Sequence, residues 1–179
     1  MRIGIDISQV AYKKTGVANY LKNLVEGMIA EGKDDDFVLF FSSMRGKIDY
    51  SFINGLKNPR VKIKTFKYPP RLLDFLWNKL HIFPIEYFIG DLDVFITSDW
   101  TEPPVKNARK ATIIYDMVVY KYSQETAKVI QDVQKRKLKW VKKESDTIFT
   151  ISESAKLDIV EILKIPAEKV HVIYPGLTL

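Results

Sequence analysis

The 179-residue sequence contains no cysteine and only two histidines, His81 and His171, far apart in the chain. The first absence removes disulfides and thiolate chemistry, and the second, with no carboxylates clustered beside either imidazole, leaves no ligand set of the kind a zinc site needs. No run approaches the ~18 consecutive apolar residues that span a bilayer. Met1-Arg2 leads at once into Ile3-Gly4-Ile5-Asp6-Ile7, too short and too alternating for the core of a signal peptide. A cytoplasmic location is the resulting expectation. The loop from Ser8 to Gly16 carries no G-x-G-x-x-G, so hydride transfer with a dinucleotide loses its main support.

What is present suits one globular domain: 46% hydrophobic residues suffice for a single sizeable core. The net charge is +6, from 28 basic and 22 acidic side chains mixed along the chain, and the isoelectric point is about 9.3. Such a balance suits anionic partners such as nucleotide diphosphates or anionic lipid without selecting one, and it equally suits a solvated surface. Nucleic acid is not expected, because the run Lys135-Arg136-Lys137 has no interleaved aromatics for base stacking.

Strand and helix signals alternate, the pattern of a parallel sheet with helices on both faces. Strands are predicted over 3–7, 37–41, 60–66, 93–97, 111–115, 146–151 and 169–173. A helix is predicted over 17–31, where Val17, Leu21, Leu24, Val25 and Met28 recur at three and four residues. Others are predicted over 124–144 and 152–163, the last with Ser152 as its N-cap. The Leu- and aromatic-rich stretch 72–89, broken by Pro84, fits two short helices. Its stripe of Phe75, Leu76, Trp77, Leu80, Phe83, Tyr87 and Phe88, with Arg71, Lys79 and His81 close by, reads as core or as a surface for a membrane interface. The basic helix carrying Lys135 to Lys143 reads as a solvated face or as a surface for anionic lipid.

In an open parallel sheet, ligands gather beyond the carboxyl ends of the strands, so candidate residues are those that follow each strand. Thr15-Gly16, beside Lys13 and Lys14, opens the first long helix, where backbone N–H groups and the helix dipole favour an anion. The alternative is a simple helix cap with the lysines in solvent. Tyr115-Asp116 ends an apolar strand. Tyr115, with an ordinary pKa near 10, offers a hydrogen bond to a sugar hydroxyl rather than imidazole-like chemistry; Asp116 either orients an acceptor or caps backbone N–H groups. Ser98, Asp99 and Trp100 offer hydrogen bonds and an apolar stacking face, although turn chemistry alone also explains that segment.

The segment Phe149-Thr150-Ile151-Ser152-Glu153-Ser154 and the tail Val170-His171-Val172-Ile173-Tyr174-Pro175-Gly176-Leu177 resemble the end of the first half of a two-domain GT-B sugar transferase. The resemblance is to the retaining glycosyltransferase family 4 (GT4) and covers nearly the whole chain. It implies a Rossmann-like acceptor-side domain over residues 1–173, with 174–179 starting a linker to a C-terminal donor-binding domain. It further implies transfer of a sugar from a nucleotide-sugar donor to a saccharide or lipid-linked acceptor with retention, no obligatory metal, and residues 1–179 inactive by themselves. By the same resemblance Tyr115 and Asp116 are the catalytic candidates, and Thr15, Gly16, Ser98, Asp99 and Trp100 the substrate-binding ones. Tyr115 stands where the family often has His, and Thr15 where a second Gly is common. Glu153 and Glu161, with seven residues between them, imitate the family's E-x7-E pair but lack its Gly-rich surroundings. A GT-B nucleotide-sugar epimerase and a non-catalytic partner- or membrane-docking module are the alternative readings.

Overall fold

The computed structural model describes residues 1–12, 15–56, 58–98 and 100–176. Seven parallel strands form one sheet: β1 (Arg2–Asp6), β2 (Asp36–Ser42), β3 (Val61–Phe66), β4 (Val94–Thr97), β5 (Arg109–Ile113), β6 (Thr147–Thr150) and β7 (Val170–Val172). Their order is β3-β2-β1-β4-β5-β6-β7, so the direction of winding reverses between β1 and β4. That reversal opens a crevice at the carboxyl edge of the sheet.

The two faces of β2 explain why its sequence is continuously apolar. Phe37, Leu39 and Phe41 pack with Leu21, Val25 and Ile29 of helix α1 (Gly16–Glu31), and Val38 and Phe40 pack on the other face with Trp77, Ile85 and Ile89. A strand covered on both sides needs no polar alternation. The edge strand β3 does alternate, turning Lys62 and Lys64 to solvent, and such charges discourage edge-to-edge pairing. A third cluster joins Leu138 and Val141 of helix α6 (Lys128–Glu144) to Ile159 and Leu163 of α7 (Glu153–Leu163) and to Ile148 and Val170. At Gly4 a Cβ would lie 2.7 Å from Leu92 Cδ1 and 2.8 Å from Phe95 Cδ2, so glycine lets Leu92 and Phe95 close on β1.

The caps follow the sequence rules. Thr15 Oγ1 accepts from Ala18 N at 3.2 Å to start α1, and Ser152 Oγ accepts from Ala155 N at 3.1 Å to start α7. Asp49 starts the short helix α2 (Tyr50–Gly55), accepting from Ser51 N while Lys22 of α1 bonds it at 2.6 Å.

Several expectations are corrected. The stretch 72–89 does not form two simple helices: α3 (Pro70–Leu73) runs into a π-helical turn, Asp74–Lys79, and a separate four-residue α4 (Glu86–Ile89) follows. Strand β5 ends at Ile113, so Tyr115 and Asp116 lie in the loop beyond it, before the short α5 (Val118–Lys121). Helix α6 begins at Lys128 rather than near Gln124.

Candidate functional site

The loops that leave β1, β4 and β5 meet α6 around a cleft of about 540 Å³ at the carboxyl edge of the sheet. Thr15, Ser98, Trp100, Tyr115 and Asp116 all line it, joined by Gln9, Tyr12, Tyr120, Gln134 and Lys137. Residues as far apart in the chain as Gln9 and Lys137 are thus brought to one place by the winding of the sheet. Asp99, with Lys13 and Lys14, lies outside the described residues. A wider hollow of about 710 Å³ sits at the opposite edge, between the end of α1 and Pro59-Arg60, but the carboxyl edge is where a parallel sheet presents loops to a ligand.

Local bonding fixes the cleft floor. The Asp6 carboxylate accepts from Ser8 N (2.9 Å) and Ser8 Oγ (2.6 Å), and Ser8 Oγ accepts from Ser42 N (3.1 Å). Ser98 Oγ donates to the Asp6 carbonyl at 2.7 Å, so its single proton is committed to joining β4 to β1. Thr15 Oγ1 is similarly engaged, donating to Tyr12 O at 3.0 Å while it caps Ala18. Gly16 is the first residue of α1 and does not have positive φ; a Cβ there would meet nothing within 4 Å among the described residues.

Tyr115 is half-buried, its ring edge-on to Tyr20 with centroids 5.7 Å apart. Tyr20 in turn donates to Ile173 O at 3.0 Å, and burial pushes its phenol pKa up. Asp116 is exposed on the cleft wall, and its Oδ1 accepts from Val118 N, the first residue of α5, at 3.0 Å. Burial also raises the pKa of Tyr120, which supplies another phenol to the wall.

The loop bearing Trp100 is held by a polar network that sequence reading did not find. Glu102, with no exposed surface, receives the hydroxyl protons of Thr97 (2.8 Å) and Thr112 (3.0 Å) on its two oxygens. Each threonine has one proton, so Ser145, 2.7 Å from Thr112 Oγ1, donates in its turn. Lys110, 1% exposed, lies 3.4 Å from Glu102 and 2.9 Å from Glu144. Burial alone would raise the Glu144 pKa, but the Lys110 hydrogen bond and charge, with His81 beside it, bring it below the usual glutamate value. Asn78 finishes the clamp, donating to Trp100 O at 2.9 Å and accepting from Glu102 N at 2.8 Å.

Lys137 belongs to the basic run expected on a solvated or lipid-facing surface, yet it is 4% exposed and lines the cleft. The signal was available: Ile130, Gln134, Lys137, Leu138 and Val141 share a helical face. Arg136 of the same run is paired with Asp74, whereas Lys135, Lys139, Lys142 and Lys143 are exposed. Glu153 and Glu161 both sit exposed on α7, and neither lines the cleft.

The seven-stranded parallel sheet with helices around it, and a cleft at the point of strand reversal, define a Rossmann-like α/β domain. A family model described as Glycosyltransferase Family 4 matches residues 14–179, and the chain belongs to that family. No curated protein matches it. Among solved structures the chain is similar to one described as a short-chain alcohol dehydrogenase from Burkholderia multivorans, at 9% identity and a TM-score of 0.41, with 97% of this chain and 94% of that chain covered.

Proposed function

We propose that this chain is the acceptor-side half of a retaining glycosyltransferase that moves a sugar from a nucleotide-sugar donor to a hydroxyl of a saccharide or lipid-linked acceptor. The observation that carries the reading is the cleft at the strand reversal, lined by Trp100, Tyr115 and Asp116, in a chain of glycosyltransferase family 4. Trp100 offers a face for a sugar ring, and Tyr115 and Asp116 offer hydrogen bonds to hydroxyls. The N-terminus of α1, with Thr15 and Val17 on the cleft wall, presents backbone N–H groups toward a diphosphate. These groups position the partners and stabilise departing charge without an obligatory metal. The nucleotide is held by a second domain, since the described residues of this chain carry neither a Gly-rich phosphate loop nor an E-x7-E pair at the cleft.

The test is release of nucleoside diphosphate from a panel of nucleotide sugars by the two-domain enzyme, with and without acceptor. Release that rises with acceptor and gives a retained glycosidic product is expected, with residues 1–179 alone inactive. Multiple turnover by residues 1–179 alone, or conversion of the donor with no acceptor required, overturns the reading. In the two-domain enzyme, Asp116→Asn should lower kcat/KM about tenfold to hundredfold, the value of a charge-assisted hydrogen bond. If Tm falls instead and specific activity holds, Asp116 is only the cap of α5.

A further inference from the structure

The segment from α3 to α4 buries Leu73, Trp77, Ile85 and Ile89, yet it turns another set of apolar side chains outward. Leu72, Phe75 and Leu80 recur at three- and five-residue spacing along the helical run and are 40%, 44% and 47% exposed. Ile82 and Phe83 follow at 41% and 49%. The backbone that projects these two is strained, with His81 at φ 55° and Phe83 at φ 62°, a region that bulky side chains avoid. It is held there by Ile82 N donating to Leu76 O and by Trp77 Nε1 donating to Phe83 O, both at 3.0 Å. A chain that only needed to connect α3 to α4 would have used glycine or asparagine at those positions.

Several cations around this patch lie over its aromatic rings. Lys79 lies over the Phe75 ring (5.6 Å) and Lys106 over Tyr87 (4.6 Å). Trp140 of α6, stacked on His81 at 3.5 Å, carries Lys139 and Lys143 over its ring. Three carboxylates of these elements have other partners: Asp74 is bound by Arg136, Glu144 by Lys110 and His81, and one oxygen of the buried Glu86 by the Lys106 amide. Apolar side chains that protrude, ringed by cations without carboxylate partners among the described residues, match an interfacial surface rather than a groove for a peptide. A second copy of the chain would bring cations against cations across a two-fold contact.

We propose that this patch docks the protein on an anionic lipid bilayer, with Phe75, Ile82 and Phe83 entering the headgroup boundary and Lys79, Lys106 and Lys143 facing the lipid phosphates. The proposal stands independently of the sugar-transfer reading, since none of these side chains lines the cleft.

The test is co-sedimentation of the 179-residue chain with phosphatidylcholine vesicles and with vesicles also containing phosphatidylglycerol. Binding to the anionic vesicles only, released by salt, is expected. Lys79→Gln with Lys143→Gln should weaken it about thirtyfold, near fivefold for each cation. Phe75→Ser with Phe83→Asn should weaken it by about tenfold or more while Tm holds, because asparagine tolerates the left-handed backbone that phenylalanine does not. Lys62→Gln with Lys64→Gln, which removes two charges from the edge strand, should change binding by less than about twofold. The proposal fails if the chain binds neither vesicle or binds both equally, or if the edge-strand variant loses as much as the patch variant. It also fails if the patch variants dissolve a dimer in sedimentation while vesicle binding is absent from the parent chain.

Discussion

At the scale of single residues, Gly16 separates folding from function most cleanly. It occupies the first helical position of α1, and a Cβ there would meet nothing within 4 Å among the described residues. Nothing in the fold therefore requires glycine, and any larger residue would reduce the freedom of the unfolded chain. Gly16→Val should leave Tm unchanged or raise it. If a phosphate or sugar approaches the start of α1, the same change should raise KM and depress turnover in the two-domain enzyme; wild-type kinetics would make Gly16 a tolerated helix start and nothing more. Lys137 and Glu102 illustrate the opposite situation. Both are charged residues with almost no exposed surface, and the partners of Glu102 come from strands β4 and β5 and from Asn78, so nothing local in its sequence announced its burial.

At the scale of elements, the strands were legible because each is an apolar run or, in β3, an apolar–polar alternation bounded by polar turns, and the long helices because the 3.6-residue period has room to repeat. The short α2 and α5, and the π-helical turn after α3, have too few residues for a period to emerge. The bend at His81 and Phe83 was invisible for a different reason: neither residue type signals a left-handed backbone. The candidate residues after β1, β4 and β5 were legible because the carboxyl edge of a parallel sheet is a rule of topology. The clamp behind them was not, because it is made of pairings across the sheet. That clamp can be tested as a unit. Glu102→Ala takes the acceptor from two buried hydroxyls and one of its two carboxylate partners from the buried Lys110 ammonium, a loss of about 3–5 kcal/mol. Tm should drop by roughly 10 °C for a chain of this length. In a double-mutant cycle with Lys110→Met, a coupling of about 1–3 kcal/mol is expected; simple additivity would mean that Glu102 and Lys110 do not act together.

At the scale of the whole molecule, titration links several distant contacts into one stability profile. The Lys22 ammonium, with Ser51, holds the Asp49 carboxyl well below the usual range, and Glu144 is lowered by Lys110 and His81 against the opposing effect of burial. A carboxyl whose folded pKa lies below its unfolded one binds fewer protons when folded. Its stabilisation is complete above the unfolded value, near pH 4, and is lost as pH falls toward the folded one. Tyr20 and Tyr120 act at the other limit. Burial raises both phenols, so the folded state resists their ionisation and loses stability as pH climbs past about 10. Thermal unfolding should therefore be nearly flat between about pH 5 and pH 9 and fall on either side. The acid limb can be assigned with one variant, because Asp49→Asn removes the Lys22 pair between α1 and α2 while keeping a capping oxygen. Its Tm should lie below that of the parent at neutral pH, and the two curves should converge as pH falls from about 5 toward 2. A constant gap across that range would show that the pair contributes through packing rather than through charge.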